Sequence, residues 1–418
     1  MSPPTTPHRV LLLGVDTPIG LTLVRELAKA GIQVYAIARQ RHGVGLHSRY
    51  LHLGVYHDSQ QITQLDLINQ LAQTHQIPYL MTVSEPDILW LQAHGEQLQG
   101  IRPLIPAPHP FSQVLDKQQT LLVARKLGIQ TPQSWQISHP HEIADLVAQV
   151  PGYPVILKWA DPQAALPRLR AHKLTLEKYR YVDTPQALVE QLARYTPTGH
   201  YPQVSCYCPG VGLGQMIYMH QGQATLTFQH QRLHEWPPEG GVSTLCESLP
   251  QQAHPALLAQ SIALLQALEW QGAAMVEYRF DPKTGQTWLM EVNGRFWGSQ
   301  PLAYYAGAHF AVATYWWQGL RQPPPPSRQR AGLRCQYTIP ALHRLQRIVG
   351  DPELIQNRSL RFSVLAELMG FVLGVLDPRL RYYIFAWDDP KPFWVDTRQA
   401  LNKLWRQMRK RFCWRGCT

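Results

Sequence analysis

The chain has 418 residues, 45% hydrophobic and 16% charged. That suits two to four globular domains and excludes a disordered, collagen-like or disulfide-framed protein. A formal net charge of +11 favours anionic partners such as nucleotides, acidic substrates or anionic lipid. The excess gathers at the C-terminus, from Trp405–Arg406 to Trp414–Arg415, outside any nucleic-acid motif, so no nucleic-acid partner is expected. The six cysteines form no CxxC pair, and MSPPTTPHRV carries no charged-then-apolar leader. Reduced thiols and a cytoplasmic location are expected.

In chain order, Val10–Leu13, a helix over Leu21–Ala30 ending at Gly31, and Val34–Ala38 read as a βαβ unit. A helix at Ile62–Gln73 and a strand at Tyr79–Val83 extend an α/β domain over residues 1–115. A second domain, 116–320, opens with a helix at Gln118–Leu127, followed by strands at Val155–Lys158 and Tyr201–Cys208. Met216–Met219 and Ala224–Phe228 flank Gly222 as a hairpin, and Pro255–Leu268 reads as a helix. Pro323–Pro326 marks a linker into a basic C-terminal region, 321–418. Within it, Val364–Leu376 is too short to span a bilayer and reads first as a buried core helix, second as an interfacial one.

The stretch Ala273–Asn293 carries the chemistry. Asp281–Pro282–Lys283–Thr284–Gly285 is a strong turn signal between two strand-like runs. Alternation puts Ala274, Val276, Tyr278 and Phe280 on one face with Trp288, Met290 and Val292. The other face carries Glu277, Arg279, Leu289, Glu291 and Asn293. A turn centred on Thr284 sets Glu277 across from Glu291, where like charges about 5 Å apart repel and call for a cation. Two carboxylates and an amide oxygen are hard ligands that suit Mg²⁺. The competing reading is a solvated face whose acids are neutralised by Arg279 and Arg295.

Met290–Glu291–Val292–Asn293–Gly294–Arg295–Phe296–Trp297–Gly298–Ser299 resembles the ATP-grasp signature, with Gly294 in place of the usual proline. Asp116–Lys117 before a helix, Thr131–Pro132, and Gly152–Tyr153–Pro154 before Val155–Lys158 resemble the entry into that family's ATP-binding part. His230–Glu235 and Pro238–Thr244 resemble a carbamoyl-phosphate-synthase-like branch of carboxylate–amine ligases, as does Asp388–Pro392. The resemblance implies an α/β ATP-grasp fold with a Rossmann-like preceding domain and a small C-terminal extension. It implies ATP with Mg²⁺, Mn²⁺ being the alternative ion, on Glu277, Glu291 and Asn293. Lys117, Lys158, Gln203 and Arg232 are the implied nucleotide contacts, and Arg295 is the catalytic arginine facing the γ-phosphate or an acyl phosphate. The implied reaction activates a carboxylate and joins it to an amine, both small molecules.

Beyond Gly294, the sequence departs from the family pattern at two further places. The stretch Trp159–Ala165 contains no glycine where a glycine-rich phosphate cover is common, leaving Lys173 or Lys178 for that role. Gln203–Tyr207 has no acid where the adenine hinge commonly carries one. Two other classes compete. Gly14–Gly20 with Arg39 loosely matches a NADP-binding turn but lacks the first G-x-G. A degenerate ATP site on a membrane-surface adaptor would use the basic tail, where Arg406, Arg409, Lys410, Arg411 and Arg415 lie among Trp405, Phe412 and Trp414. His230 and His234, four apart, are a weak metal pair. A homodimer is the prior for quaternary state.

Overall fold

The computed structural model describes residues 7–159, 162–177, 179–357 and 360–415. The first unit runs β1 (Arg9–Leu13), α1 (Pro18–Lys29), β2 (Gln33–Ala38), β3 (Leu53–Tyr56), α2 (Gln64–His75), β4 (Tyr79–Met81), α3 (Glu85–His94) and β5 (Arg102–Pro103). These strands form a parallel sheet ordered β3-β2-β1-β4-β5. Val10, Leu11 and Leu12 are fully buried because helices cover both faces of the sheet, which explains a continuous apolar run in place of alternation. The strand order reverses between β1 and β4, so the loops after them open a crevice at the sheet's C-terminal edge.

Next come α4 (Pro108–Leu115) and α5 (Lys117–Lys126), then β6 (Ser134–Trp135), α6 (Ile143–Gln149), β7 (Val155–Lys158), α7 (Pro162–Ala171), β8 (Arg180–Val182), α8 (Pro185–Ala193) and β9 (Gln203–Cys206). Their strands make a small antiparallel sheet, β6-β9-β7-β8, with its own core around Leu157, Val182, Leu188 and Val204. The main sheet follows: β10 (Val211–His220), β11 (Gln223–Trp236), β12 (Val242–Ser248), α9 (Pro255–Ala267), β13 (Gly272–Phe280), β14 (Thr287–Asn293), α10 (Gln300–Tyr305) and α11 (Phe310–Thr314). The chain closes with β15 (Arg334–Gln336), α12 (Thr338–Gly350), α13 (Val364–Gly374), β16 (Leu380–Tyr382) and α14 (Lys391–Arg415).

The main sheet is ordered β14-β13-β10-β11-β12-β15-β16. Strands from the segment after the prolines therefore complete the same sheet that carries the Glu277–Glu291 hairpin. The C-terminal segment also clasps the first unit. Asp389, buried, meets Arg25 of α1 at 3.0 Å and accepts from Ser48 Oγ at 2.7 Å and Arg49 N at 2.9 Å. One face of the main sheet packs Val276, Tyr278, Leu289 and Val292 against α4, α5 and α9. The other packs Met216, Tyr218 and Met275 toward β1, α1 and Trp297.

Val364–Leu376 is not the buried core helix expected first. None of α13 is buried. An apolar run longer than a strand reports low polarity, and it does not by itself say whether the protein covers it.

Candidate active site

The β13–β14 hairpin pairs Val276 with Val292 and Glu277 with Glu291, the register the Asp281–Gly285 turn predicts. One residue further on, the register slips, so Tyr278 faces Leu289 and Met290 is the extra residue of a bulge. The bulge reverses which side chains point inward from there to the turn. Leu289, fully buried, fills the core in place of Trp288 and Met290, which are half-buried. The alternation expected for the second strand is corrected at those three positions.

Glycines on β10 open the site. Gly214 stands across from Glu277 and Gly212 across from Arg279. With no side chain at either position, Arg232 on β11 reaches over β10 to bond Glu277. A Cβ on Gly212 would lie 2.8 Å from Arg232 Cδ, and one on Gly214 would lie 2.5 Å from His230 Nε2. Arg232 also donates to Glu235 and to the Gly241 carbonyl, each at 3.1 Å, and Arg279 meets Glu235 at 2.9 Å. Burial pushes the Glu277 carboxyl above the usual carboxylate range, against the pull of Arg232.

Glu291 is held differently. Its oxygens accept from Lys117 Nζ at 2.6 Å and Asn293 Nδ2 at 3.1 Å. Burial pushes this carboxyl up as well, but Lys117 and Asn293 outweigh it and hold Glu291 below its usual range. Lys117 is the first residue of α5, and Asp116 caps that helix by accepting from the backbone of Gln118 and Gln119. The cap fixes the base of the lysine, so its reach to the hairpin is set by the helix start. Lys158 ends β7 opposite Gln203 of β9. Burial lowers the Lys158 pKa, Lys117 lowers it further, and Glu291 offsets part of this. The structure thus brings Lys117, Lys158, Glu277, Glu291, Asn293 and Arg232 into one electrostatic neighbourhood, with Gln203 on the strand beside Lys158.

The expected alternative partners of the hairpin acids are elsewhere. Arg279 serves Glu235, and Arg295 donates from Nε to Glu85 Oε1 at 3.0 Å and from Nη1 to the Phe296 carbonyl at 3.0 Å. Glu85 begins α3 in the crevice of the first sheet, behind the Ser84 cap. The sequence reading missed it. Its signal was available in Ser84–Glu85–Pro86 closing an apolar strand at the reversal of strand order.

His230 and His234 do not form a metal pair. His230 is buried and burial lowers its pKa to about 3. Register breaks between Arg232 and Glu235 carry His234 into a separate cavity with Arg344 and Glu367. The Gly14–Gly20 turn offers little to a dinucleotide. Pro18 has no N–H, Thr17 already accepts from Gly20 N, and Arg39 is bonded to Asp87 and Gln64. After β7 the chain enters α7 at Pro162, while Ala160, Asp161 and Lys178 lie outside the described residues.

The model for the carbamoyl-phosphate synthase L chain ATP-binding domain matches residues 242–313, which include Glu277, Glu291, Asn293 and Arg295. Among solved structures, the biotin carboxylase of Campylobacter jejuni in a β,γ-ATP complex aligns with a TM-score of 0.59 at 13% identity, over 79% of this chain and 74% of that one. The chain is built on the ATP-grasp fold. The biotin carboxylase domain dimer of the Hydrogenobacter thermophilus 2-oxoglutarate carboxylase, solved with MgADP, ADP and bicarbonate, aligns at 0.57 and 15% identity, over 79% and 74%. The L-amino acid ligase of Bacillus licheniformis aligns at 0.51 and 16%, over 74% of each chain. No curated protein matches the sequence. In this ATP-grasp chain a cavity of about 1100 Å³ beside α1 and Pro323–Pro326 holds none of the residues above, so the chemistry is assigned by its side chains and not by cavity size.

Among the described residues no three His, Cys, Asp or Glu side chains cluster as metal ligands. The hairpin instead offers two carboxylates and an amide. Such an all-oxygen, incomplete donor set fits Mg²⁺, which keeps phosphate and water oxygens as its remaining ligands.

Proposed function

We propose that this ATP-grasp chain is an ATP-dependent ligase that activates a carboxylate as an acyl phosphate and joins it to an amine. The observation that carries the reading is the opposition of Glu277 and Glu291 on rigid strands, with Lys117 on Glu291 and Lys158 beside it. Two opposed acids are costly unless cations meet them, and a nucleotide's phosphates need cations in turn. Glu277, Glu291 and Asn293 would hold Mg²⁺, with Mn²⁺ as the alternative ion. The ion supplies charge neutralisation at the phosphates when bound.

Lys117 and Lys158 meet the phosphates, Gln203 lines the nucleotide beside Lys158, and Arg232 contributes its charge from behind Glu277. Arg295 is the catalytic arginine. It sits between the hairpin and Glu85, where it meets the transferring phosphoryl group. The substrate carboxylate attacks the γ-phosphorus and ADP leaves. The neutral amine then attacks the acyl carbon and phosphate leaves, taking the one proton that the nitrogen gives up as it becomes an amide. Positioning and charge compensation carry such a transfer, so no protein nucleophile is required. The parallel sheet of residues 1–115 supplies the substrate side of the cleft, 116–320 the nucleotide side, and 321–418 the extension that joins them.

Small-molecule carboxylates and amines are the partners on this reading, and a homodimer is the expected assembly. Cys206, Cys208, Cys246 and Cys335 are free thiols, which supports a cytoplasmic setting. No helix among the described residues is long and apolar enough to cross a membrane. The test is ADP release from Mg-ATP across a panel of acids and amines, with Glu291→Gln as control. Release that needs both an acid and an amine, and is lost in Glu291→Gln, is expected. Mg-ATP binding without release for any pair would favour a degenerate site.

A further inference from the structure

The polarity of α13 is inverted relative to an ordinary surface helix. Its charged residue points inward: Glu367 meets Arg344 of α12 at 2.6 Å and 2.9 Å, and the Arg344 guanidinium is buried. Its outward stripe is apolar. Leu365, Met369 and Val372 recur at i, i+4 and i+7, and Leu376 continues the line in the following turn, with exposures of 70%, 47%, 62% and 77%. A helix normally turns such a stripe toward the core. A contiguous apolar patch of this size on a folded protein marks a docking surface.

Charge names the partner. Arginines bracket the stripe, all exposed: Arg361 stands before α13, and after it come Arg379, which is paired with Asp377 at 3.0 Å, and Arg381, which donates to backbone carbonyls that leave its charge uncompensated. The C-terminal segment shows a second apolar stripe on α14, where Trp394, Leu401 and Trp405 recur at i, i+7 and i+11 with all three exposed. Tryptophan beside basic residues is the composition of the water–bilayer interface. A self-association through α13 would instead bring two sets of arginines together.

We propose that α13 docks this protein on an anionic membrane surface, lying flat with the Leu365–Met369–Val372–Leu376 stripe among the acyl chains and Arg361, Arg379 and Arg381 at the headgroups. At 11 residues the helix can lie on a bilayer but not span it. The Glu367–Arg344 pair fixes its inward face, so the stripe is presented rather than folded away. The side chains beyond Arg406 lie outside the described residues, and the proposal does not use them.

The test is flotation of the full chain with phosphatidylcholine–phosphatidylserine vesicles, compared with phosphatidylcholine alone. The protein should float with the anionic vesicles, less at raised salt, and weakly or not at all with the neutral ones. The double substitution Leu365→Glu and Val372→Glu should weaken partition by at least about tenfold, since two apolar side chains no longer enter the acyl region. Both residues are exposed and outside the nucleotide site, so melting temperature and Mg-ATP binding should stay at the wild-type values. Wild-type protein that stays with the soluble fraction would overturn the proposal. So would flotation that survives the double substitution. A light-scattering mass showing a dimer that the substitution splits, with no flotation, would assign α13 to a second copy instead.

Discussion

Replacing Arg232 by Met should destabilise the fold far more than an ordinary surface substitution. Arg232 and Glu277 are 12% and 15% exposed, and the guanidinium also serves Glu235 and the Gly241 carbonyl. Removing one partner of a buried pair leaves the other charge uncompensated, at a cost of about 3–5 kcal/mol. Urea denaturation should read that loss as a lower midpoint at unchanged slope. The further substitution Glu277→Gln removes the stranded charge, so the double variant should recover at least about half of the loss. pH supplies a second check. The folded pKa of Glu277 is raised, so the native state binds a proton more tightly than the unfolded chain. Its carboxylate therefore costs stability that appears as pH rises from the ordinary glutamate value of 4.5 through the higher folded pKa. Without Arg232 that folded pKa climbs further, and the deficit of Arg232→Met should shrink as pH falls from neutrality toward 5. A loss below about 1 kcal/mol, or a deficit indifferent to pH, would refute the assignment of Arg232 as the counter-charge of Glu277.

Three further outcomes are expected. Lys158→Met should weaken ATP binding by roughly tenfold to a hundredfold, the range for a lost charged hydrogen bond, with no loss in melting temperature because Arg232 and Lys117 hold the acids. Calorimetry beside a thermal melt separates the two effects. Asp389→Ala strands the buried Arg25 and should cost about 3–5 kcal/mol in denaturant, with faster proteolysis after residue 380. A cost under about 1 kcal/mol would contradict the clasp. Gly214→Ala should cost about 1–3 kcal/mol, because the new Cβ lies 2.5 Å from the His230 ring and 2.7 Å from Met216 Cε. A neutral result in a thermal melt would show that the sheet yields there.

Much of this site is legible without coordinates, because its parts are local. The Glu277–Glu291 opposition is what a turn centred on Thr284 gives, and the structure reaches it by a slightly earlier turn, with Phe280 across from Thr287, and the bulge at Met290; Val155–Lys158 is bounded by Pro154 and a lysine. What escapes notice is non-local or compositionally silent. A single bulged residue at Met290 leaves no trace in residue type, yet it exchanges Leu289 for Trp288 in the core. Arg232–Glu277 spans an intervening strand, and Arg295–Glu85 joins residues 210 apart, so neither pair is visible as a spacing. The strands β15 and β16 have three residues each, too few to show a period. In α13 the apolar residues are plain, but the direction they face is fixed by Glu367 and Arg344 on different helices.

The central claim is a magnesium-dependent nucleotide site on the β13–β14 hairpin. Calorimetric titration of the full chain with ATP, with and without Mg²⁺, in wild type and Glu291→Gln, tests it most directly. Binding that requires Mg²⁺ in the wild type and disappears in Glu291→Gln, at an unchanged melting temperature, is the predicted result. ATP binding indifferent to Mg²⁺ and to Glu291, or no ATP binding by the folded wild type, would contradict it.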